Sequence, residues 1–216
     1  MISLDLKILE IFIRSEILSG GSFEAGIFLK IVEHGGEIWM DDRKLIKTAS
    51  KFKVANSRFG KGCFANEPIK KGEFICFCGG KEITWEEQER RYIEEKIRLD
   101  DPLQIIETKY IELEKPYIYF NHSCNPNSGI RGKNELIAIK NINPDEEIAY
   151  DYSSVVWDER WVEKHGPWTM NCGCKEKNCR KVIGDFLTIP VSLRSKYIML
   201  GVVPDFILRK LIKEKE

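Results

Sequence analysis

The first fifty residues carry apolar side chains at intervals that fit a helix. Apolar positions recur every three or four residues over residues 4–12, which predicts an amphipathic helix that ends at Gly20-Gly21. Ser22 suits the N-cap of a second helix with the same kind of spacing. We therefore expect residues 1–50 to form a small helical N-terminal segment.

From Lys51 onward the pattern changes to short apolar runs broken by Gly, Asn and Pro. Runs such as KFKVA, GCFA and EFICF are typical of short strands joined by turns. Strands are expected again near Tyr110 and in ELIAIKNI, whereas residues 84–100 have helical spacing and predict a helical insertion. The fold class that follows is mainly β with helical additions, an α+β arrangement.

The end of the chain returns to a helical pattern. A last amphipathic helix is expected after Pro204, because proline is favoured at the first helical position. Phe206, Ile207 and Leu211 would share its apolar side. Residues 185–216 are accordingly expected to be a C-terminal helical extension.

Composition narrows the classes of protein. With 216 residues and 43% hydrophobic residues, the chain can bury a substantial core. Lys plus Arg equals Asp plus Glu at 34 each, so the sequence carries no strong nucleic-acid signal. The apolar start is interrupted by charged residues, and we expect neither a signal peptide nor a membrane span.

The chain contains seven cysteines, three of which lie close together. Disulfides are disfavoured in reducing compartments, so these cysteines indicate metal ligation or buried thiols in an intracellular, cytoplasmic protein, or a nuclear or chromatin-associated one in a eukaryote. Cys172, Cys174 and Cys179 can share one ion, but structural zinc requires four ligands. Cys124 lies in the polar turn NHSCNPN and is the best fourth candidate, because the remaining cysteines lie in apolar runs. Two alternatives are a set of unrelated buried thiols and a zinc ribbon, which would need a second paired ligand motif.

The chain resembles a known family through five segments in a fixed order. SRFGKGCFA, IKKGEFI, YFNHSCNPN, INPDEEIAYDY and MNCGCKEKNCR resemble the SET and post-SET regions of protein lysine methyltransferases over about residues 54–183. The resemblance implies a fold of small curled β-sheets with a pseudoknot, in which the NHSC segment passes through a loop closed by EEIAYDY. The SET domain would span residues 51–165, and a post-SET zinc segment would span 166–184.

The resemblance also assigns a cofactor, S-adenosylmethionine, and the residues that would contact it. Gly60, Lys61 and Gly62 would contact its methionine end, and Asn121 and His122 would contact its amino and adenine groups. Trp168 would enter the tail, which is the post-SET segment of residues 166–184 and packs beside the adenine in the family. In the family, the post-SET zinc takes one cysteine from NHSC and three from the tail, which agrees with the grouping made from spacing.

Two tyrosines are the candidate catalytic residues. Tyr152 matches the family's catalytic tyrosine, which orients the cofactor and the amine. Tyr150 lies two residues earlier on what is expected to be the same strand, so both side chains should face the lysine channel. In the family a tyrosine at this position is associated with fewer methyl additions, so mono- or dimethylation is expected.

The expected function is S-adenosylmethionine-dependent protein-lysine N-methylation. Its partner would be a protein substrate that carries the target lysine, such as a histone or another basic protein. The alternative is a catalytically inactive SET-type, zinc-containing binding module. The presence of Tyr152, the Asn121-His122 pair and the glycines of GKG favours the enzyme.

Overall fold

The structure is a computed structural model that describes residues 9–17, 23–33, 36–41, 51–98 and 101–213. The chain divides into two compact units, Met1–Ser50 and Lys51–Glu216. In the first unit, three strands form an antiparallel sheet in the order β1-β2-β3. These strands are β1 (Leu9–Ile17), β2 (Phe23–Glu33) and β3 (Gly36–Asp41).

The helical prediction for the N-terminal segment, residues 1–50, is therefore wrong for its described residues, 9–17, 23–33 and 36–41. Strand β1 pairs with β2 over nine consecutive residues, from Leu9 opposite Ile31 to Ile17 opposite Phe23. The sequence alternates Leu9, Ile11 and Ile13 with mostly polar residues, and isoleucine favours strands, so the two-residue period outweighs the helical one. The expected helix end at Gly20-Gly21 and the cap at Ser22 lie outside the described residues.

The second unit is built from small sheets, as the mainly β expectation requires. A hairpin joins β4 and β5, one three-stranded sheet has the order β11-β12-β6 and another has the order β7-β9-β8. Two pairs of short strands, β10 with β13 and β14 with β15, complete the set. The strands are β4 (Phe52–Ser57), β5 (Gly60–Ala65), β6 (Phe74–Phe77), β7 (Gly80–Thr84), β8 (Pro102–Ile106), β9 (Lys109–Leu113), β10 (Asn121–His122), β11 (Ser128–Arg131), β12 (Glu135–Ala138), β13 (Ala149–Tyr150), β14 (Met170–Asn171) and β15 (Val182–Ile183).

Four α-helices are added to these sheets in the described part of the second unit. They are α1 (Trp85–Ile93), α2 (Glu159–His165), α3 (Val191–Met199) and α4 (Asp205–Lys213). Helix α1 is the predicted insertion, but it ends at Ile93 rather than near residue 100. Thr84 caps α1 by accepting from the backbone N–H of Glu87. Helix α4 follows Pro204 and confirms the helix predicted there.

The turn that follows Phe120 is held against the segment before Tyr152. Strand β10 runs parallel to β13, with Asn121 opposite Ala149 and His122 opposite Tyr150. Strand β13 contains only two residues, and Tyr152 begins a short 3-10 turn. The expectation that Tyr150 and Tyr152 lie on one strand is therefore wrong, because β13 ends at Tyr150 and the chain enters the 3-10 turn at Tyr152.

Three buried apolar clusters stabilise the second unit. The first lies among the sheets, and the third collects Trp85, Trp161 and Trp168 near the cysteines of the tail. The second cluster is largely C-terminal and contains Trp157, Phe186, Ile189, Tyr197, Val202, Val203, Phe206 and Ile207. Within the described residues, no helix combines the length and apolar character needed to cross a membrane.

Candidate active site

Residues from three separate motifs line one cavity of about 160 Å³. Asn121 and His122 come from NHSCNPN, Tyr152 from EEIAYDY, and Cys172 and Cys174 from the tail. The parallel pairing of β10 with β13 brings the first two motifs together. The structure therefore places residues that are more than fifty positions apart in the sequence around one cavity.

A second cavity, of about 300 Å³, shares Phe59, Asn121, His122 and Cys174 with the first. Its lining also contains both positively and negatively charged side chains. The cationic residues are Arg58 and Lys140, and the acidic ones are Glu146, Glu147 and Glu176. A lining of this kind can accommodate a ligand that carries both an ammonium and a carboxylate.

The side chain of Asn121 is fixed by the β4–β5 hairpin. Its Nδ2 atom donates to the carbonyl oxygen of Lys61 at 2.9 Å and to Oε1 of Glu147 at 2.7 Å. A Cβ atom at Gly62 would clash with the same Glu147 oxygen and lie 2.9 Å from the Cβ atom of Ser57, so this close approach favours glycine. Gly60 has a φ of +99° and is needed for its backbone conformation. Lys61 and Gly62 thus lie beside Asn121, but none of Gly60, Lys61 and Gly62 lines either cavity.

His122 is buried, and its hydrogen bonds indicate which ring nitrogen carries the proton. The backbone N–H of Tyr152 donates to Nδ1 at 3.2 Å, so Nδ1 acts as the acceptor. The proton is then on Nε2, which lies 3.3 Å from Sγ of Cys124. Burial, with a smaller contribution from the Arg180 charge, lowers the pKa of His122 to about 3, so the ring is neutral near pH 7.

The hydroxyl of Tyr152 donates to the carbonyl oxygen of Phe120 at 2.8 Å. Because its hydrogen is used in this way, the hydroxyl oxygen can act only as an acceptor toward a further group. The ring centroids of Tyr150 and Tyr152 lie 5.0 Å apart, and the Tyr150 side chain is buried. The two tyrosines are therefore neighbours although they do not share a strand.

Thiols from the turn and the tail meet at one place. Sγ of Cys124 lies 3.7 Å from Sγ of Cys172, and the ligand atoms of His122, Cys124, Cys172 and Cys174 all lie within 4.8 Å of one another. Cys179, which sequence spacing selected, lies outside this group of four, and its Sγ donates to the carbonyl oxygen of Cys172 at 3.6 Å. The backbone N–H of Lys181 lowers the pKa of Cys179 to about 7, which favours the thiolate that binds metals.

These donors fit a tetrahedral zinc ion with a sulfur-rich set of ligands. Two sets are possible, because either Cys179 or His122 can complete Cys124, Cys172 and Cys174. A histidine that binds zinc through Nε2 must carry its proton on Nδ1. In this structure Nδ1 accepts from the N–H of Tyr152, so the hydrogen bonding of His122 disfavours it as a ligand.

Trp168 is not brought to either cavity. It is buried in the third apolar cluster with Tyr110 and Trp161, and it lines a small separate cavity near Asp158. Asp158 accepts hydrogen bonds from Nε1 of Trp85 at 2.9 Å and from the hydroxyl of Tyr110. Trp168 therefore packs in the third apolar cluster and does not line either of the two cavities described above.

Sequence reasoning missed several charged residues around the cavities. Arg58 donates from Nη1 to the carbonyl oxygen of Cys174 at 2.7 Å, which ties the β4–β5 turn to the tail. Asp151 pairs with Arg180 at 2.5 Å, and Glu147 accepts from Asn121. Each lies next to or inside a motif, and that proximity was the available signal.

The sequence of this chain is similar to that of known proteins over the residues that form the site. The sequence model of the SET domain matches residues 60–153. Human "Histone-lysine N-methyltransferase SETMAR" is 30% identical over 145 residues, covering 56% of this chain and 21% of that protein. "Probable histone-lysine N-methyltransferase set-23" of Caenorhabditis briggsae is 29% identical over 165 residues, covering 65% of this chain and 64% of that protein.

A solved structure of the methyltransferase domain of human SETMAR matches with a TM-score of 0.47 and 26% identity, covering 60% of this chain and 56% of that one. The chain spans less than two thirds of the length of both curated relatives. Residues 60–153 match the SET model, and they contain the GKG run of β5, the NHSC turn and the EEIAYDY segment described above. This chain therefore contains a SET domain.

Proposed function

We propose that this chain is an S-adenosylmethionine-dependent protein-lysine N-methyltransferase that favours mono- or dimethylation. The observation that carries the proposal is the convergence of Asn121, His122 and Tyr152 on one cavity beside the tail. A binding module would need the fold, but it would not need a tyrosine hydroxyl fixed at the wall of that cavity.

The residues around the two cavities fit the chemistry of S-adenosylmethionine. Asn121 and His122 would hold the cofactor, together with Gly60, Lys61 and Gly62 at the start of β5. In the larger cavity, Arg58 and Lys140 would favour its carboxylate, and the glutamates would favour its cationic groups. The role of Trp168 beside the adenine stays a prediction that its position does not support.

Bound S-adenosylmethionine supplies a methyl group on a positively charged sulfur. The chain must hold the lysine amine in line with that methyl group and exclude water. A lysine amine has an ordinary pKa of about 10.4 and must lose its proton before it attacks. Tyr152, whose hydroxyl hydrogen is donated to Phe120, would accept a contact from the amine or the methyl group and orient it.

Zinc would hold the tail against the NHSC turn through Cys124, Cys172, Cys174 and Cys179. Its role would be structural, because four protein ligands leave no position open for a substrate. Cys172 and Cys174 also line the smaller cavity, so a fixed tail would complete its wall.

The substrate class follows from the relatives. Both curated relatives are named as histone-lysine methyltransferases, one of them as probable, which supports a histone or another basic protein as substrate and a nuclear or chromatin location in a eukaryote. The chain itself has a net charge of zero, so recognition would depend on local acidic groups rather than on an overall field.

The test combines binding with activity. Calorimetry should show that the full chain binds S-adenosylhomocysteine, and labelled S-adenosylmethionine should methylate lysine residues in histones or a cell lysate, located by mass spectrometry. Tyr152→Phe serves as the control variant in the same assay. Binding without transfer to any protein would indicate the inactive binding module, and the absence of binding would contradict both readings of the cavity.

A further inference from the structure

The segment that follows the tail is packed into the body of the SET domain. Val202 lies against Gly129 of β11, where an added Cβ atom would come within 2.7 Å of the valine Cβ. The backbone N–H of Asp205 donates to the carbonyl oxygen of Gly132 at 3.0 Å. Helices α3 and α4 lie beyond residue 153, where the match to the SET model ends, yet they share a buried core with β12.

Helix α3 also reaches a charged group at the centre of the domain. The hydroxyl of Tyr197, a residue that is only 2% exposed, donates to Oδ2 of Asp151 at 3.1 Å. Nη2 of Arg180 and the backbone N–H of Ser153 donate to Oδ1 of the same carboxylate at 2.5 and 3.1 Å. Asp151 is 1% exposed, so its charge depends on these donors rather than on water.

Arg180 connects this network to the thiol site, which is formed by Cys124, Cys172, Cys174 and Cys179. Its backbone N–H donates to Sγ of Cys124 at 3.4 Å. Its Nε and Nη1 atoms are buried and have no hydrogen-bond partner among the described residues, so Asp151 provides most of the compensation for its charge. The position of Arg180, which directly follows Cys179, therefore depends on how Asp151 is held.

We propose that Tyr197 is a positioning residue: its hydroxyl fixes Asp151, which fixes Arg180 and with it the tail that forms one wall of the cofactor cavity. The inference rests on the proposed function, because it concerns the same cavity. It assigns helix α3 a role in the site that neither the SET match nor the tail cysteines include. Loss of the hydroxyl leaves the ring packed but removes one of the three donors to a buried carboxylate.

Tyr197→Phe is the direct test, because it removes only the hydroxyl. We expect the affinity for S-adenosylhomocysteine to fall about tenfold, as is usual for loss of a hydrogen bond to a buried charged group. Chelator-induced zinc release should become faster by a similar factor. Hydrogen exchange should increase in residues 170–183, where the N–H of Cys172 donates to the carbonyl oxygen of Lys181 at 2.6 Å.

Val203→Ala is the matched control. Val203 belongs to the same buried cluster as Tyr197, so its truncation should lower the melting temperature while leaving exchange in the tail and ligand affinity unchanged. A double-mutant cycle adds the second control. If Tyr197 acts through Asp151, adding Tyr197→Phe to Asp151→Asn should cause little further loss of affinity, whereas an independent role would give additive losses.

The outcomes separate the two proposals. Unchanged tail exchange and unchanged zinc release in Tyr197→Phe, or a variant that differs from the natural chain only in melting temperature as Val203→Ala does, would overturn the positioning role. If the natural chain does not bind S-adenosylhomocysteine, the proposed function fails. In that case tail exchange and zinc release still decide whether Tyr197 holds the tail.

Discussion

The polar side chains around the smaller cavity are held mainly by backbone groups. The Tyr152 hydroxyl is bound by the Phe120 carbonyl, the His122 ring by the Tyr152 N–H and the Asn121 amide by the Lys61 carbonyl. The site is therefore preorganised before any ligand enters, which is the condition under which single hydroxyl groups contribute strongly to a rate.

Removal of the Tyr152 hydroxyl tests this preorganisation. Tyr152→Phe keeps the ring contact with Tyr150 but removes the oriented oxygen, so we expect the methyl-transfer rate to fall ~100-fold or more. The affinity for S-adenosylhomocysteine, measured by calorimetry, should change little. Equal turnover of the variant and the natural chain would show that the hydroxyl is only structural.

Tyr150 is expected to limit the number of methyl groups added. Its hydroxyl would hold an ordered water beside the lysine nitrogen, and displacement of that water by a further methyl group would lose hydrogen bonds worth about 1 kcal/mol each. Tyr150→Phe should therefore shift the products from mono- and dimethyllysine toward higher methylation. Intact-mass spectrometry of a methylated peptide over a long time course measures the shift, and an identical product distribution would refute the role.

At the residue scale, motifs predicted the groups that line the cavity but not those that position them. Asn121, His122 and Tyr152 were identified because each stands in a distinctive run of residues. Arg58 and Arg180 were missed because they act on a carbonyl group and a carboxylate far away in the chain. Such a partner becomes visible only when the fold brings the two groups together.

Helices α1 and α2 are joined by several contacts between charged side chains. Glu89 of α1 accepts from Nζ of Lys164 at 2.8 Å and contacts Nε2 of His165 at 2.5 Å. Arg160 pairs with Glu86 at 2.7 Å, and its guanidinium lies 4.2 Å from the ring centroid of Trp85. The predicted helical insertion is thus attached to the segment that leads into the tail.

This attachment should weaken in acid. The hydrogen bond from Lys164, followed by that from His165, lowers the pKa of Glu89 below its usual value of 4.5. The stability that this carboxylate contributes is present above the unfolded-state pKa and is lost as the pH falls through the lowered folded-state pKa. Thermal unfolding should therefore show that Glu89→Gln lowers the melting temperature near neutral pH, and that the difference disappears in acid.

A control for this experiment is Glu163→Gln. Glu163 lies on α2 but forms no ion pair with any residue in the described ranges, so its substitution should have little effect at any pH. A difference between Glu89→Gln and the natural chain that stayed constant down to strongly acidic pH would contradict the assigned ion pair.

At the element scale, prediction succeeded where turn signals were strong. It failed where the same residues fitted both the spacing of a helix and the spacing of a strand. The strands after Lys51 and helix α4 were bounded by glycine, asparagine or proline, which define ends clearly. Residues 9–17 combine a helical spacing with a strand spacing, and pairing with β2 decides between them. Because pairing is a non-local interaction, the local pattern alone did not reveal it.

Over the whole second unit, the thiol site joins parts of the chain that are far apart in sequence. Cys124 lies in the turn between β10 and β11, and Cys172, Cys174 and Cys179 lie between α2 and β15. Strands β14 and β15 contain only two residues each, so the tail has little regular structure of its own. A metal at this position would replace the missing backbone pairing as the force that keeps the tail in place.

The metal and its fourth ligand can be identified in purified protein. Purified protein should contain one zinc ion per chain by elemental analysis, and the double variant Cys172→Ser with Cys174→Ser should contain none. Because Nδ1 of His122 is occupied by the Tyr152 N–H, Cys179→Ser should lose zinc readily, whereas His122→Ala should keep it. The reverse result would assign His122 as the ligand.

Removal of the metal should also affect the cavity. Cys172 and Cys174 line the volume that Asn121 and Tyr152 share, so loosening the tail removes one of its walls. We expect a chelator to increase hydrogen exchange in the tail and to weaken S-adenosylhomocysteine binding, and added zinc to reverse both changes. If metal-free protein binds the ligand with full affinity, the tail does not form a functional wall of the cavity, and the link between zinc and catalysis fails.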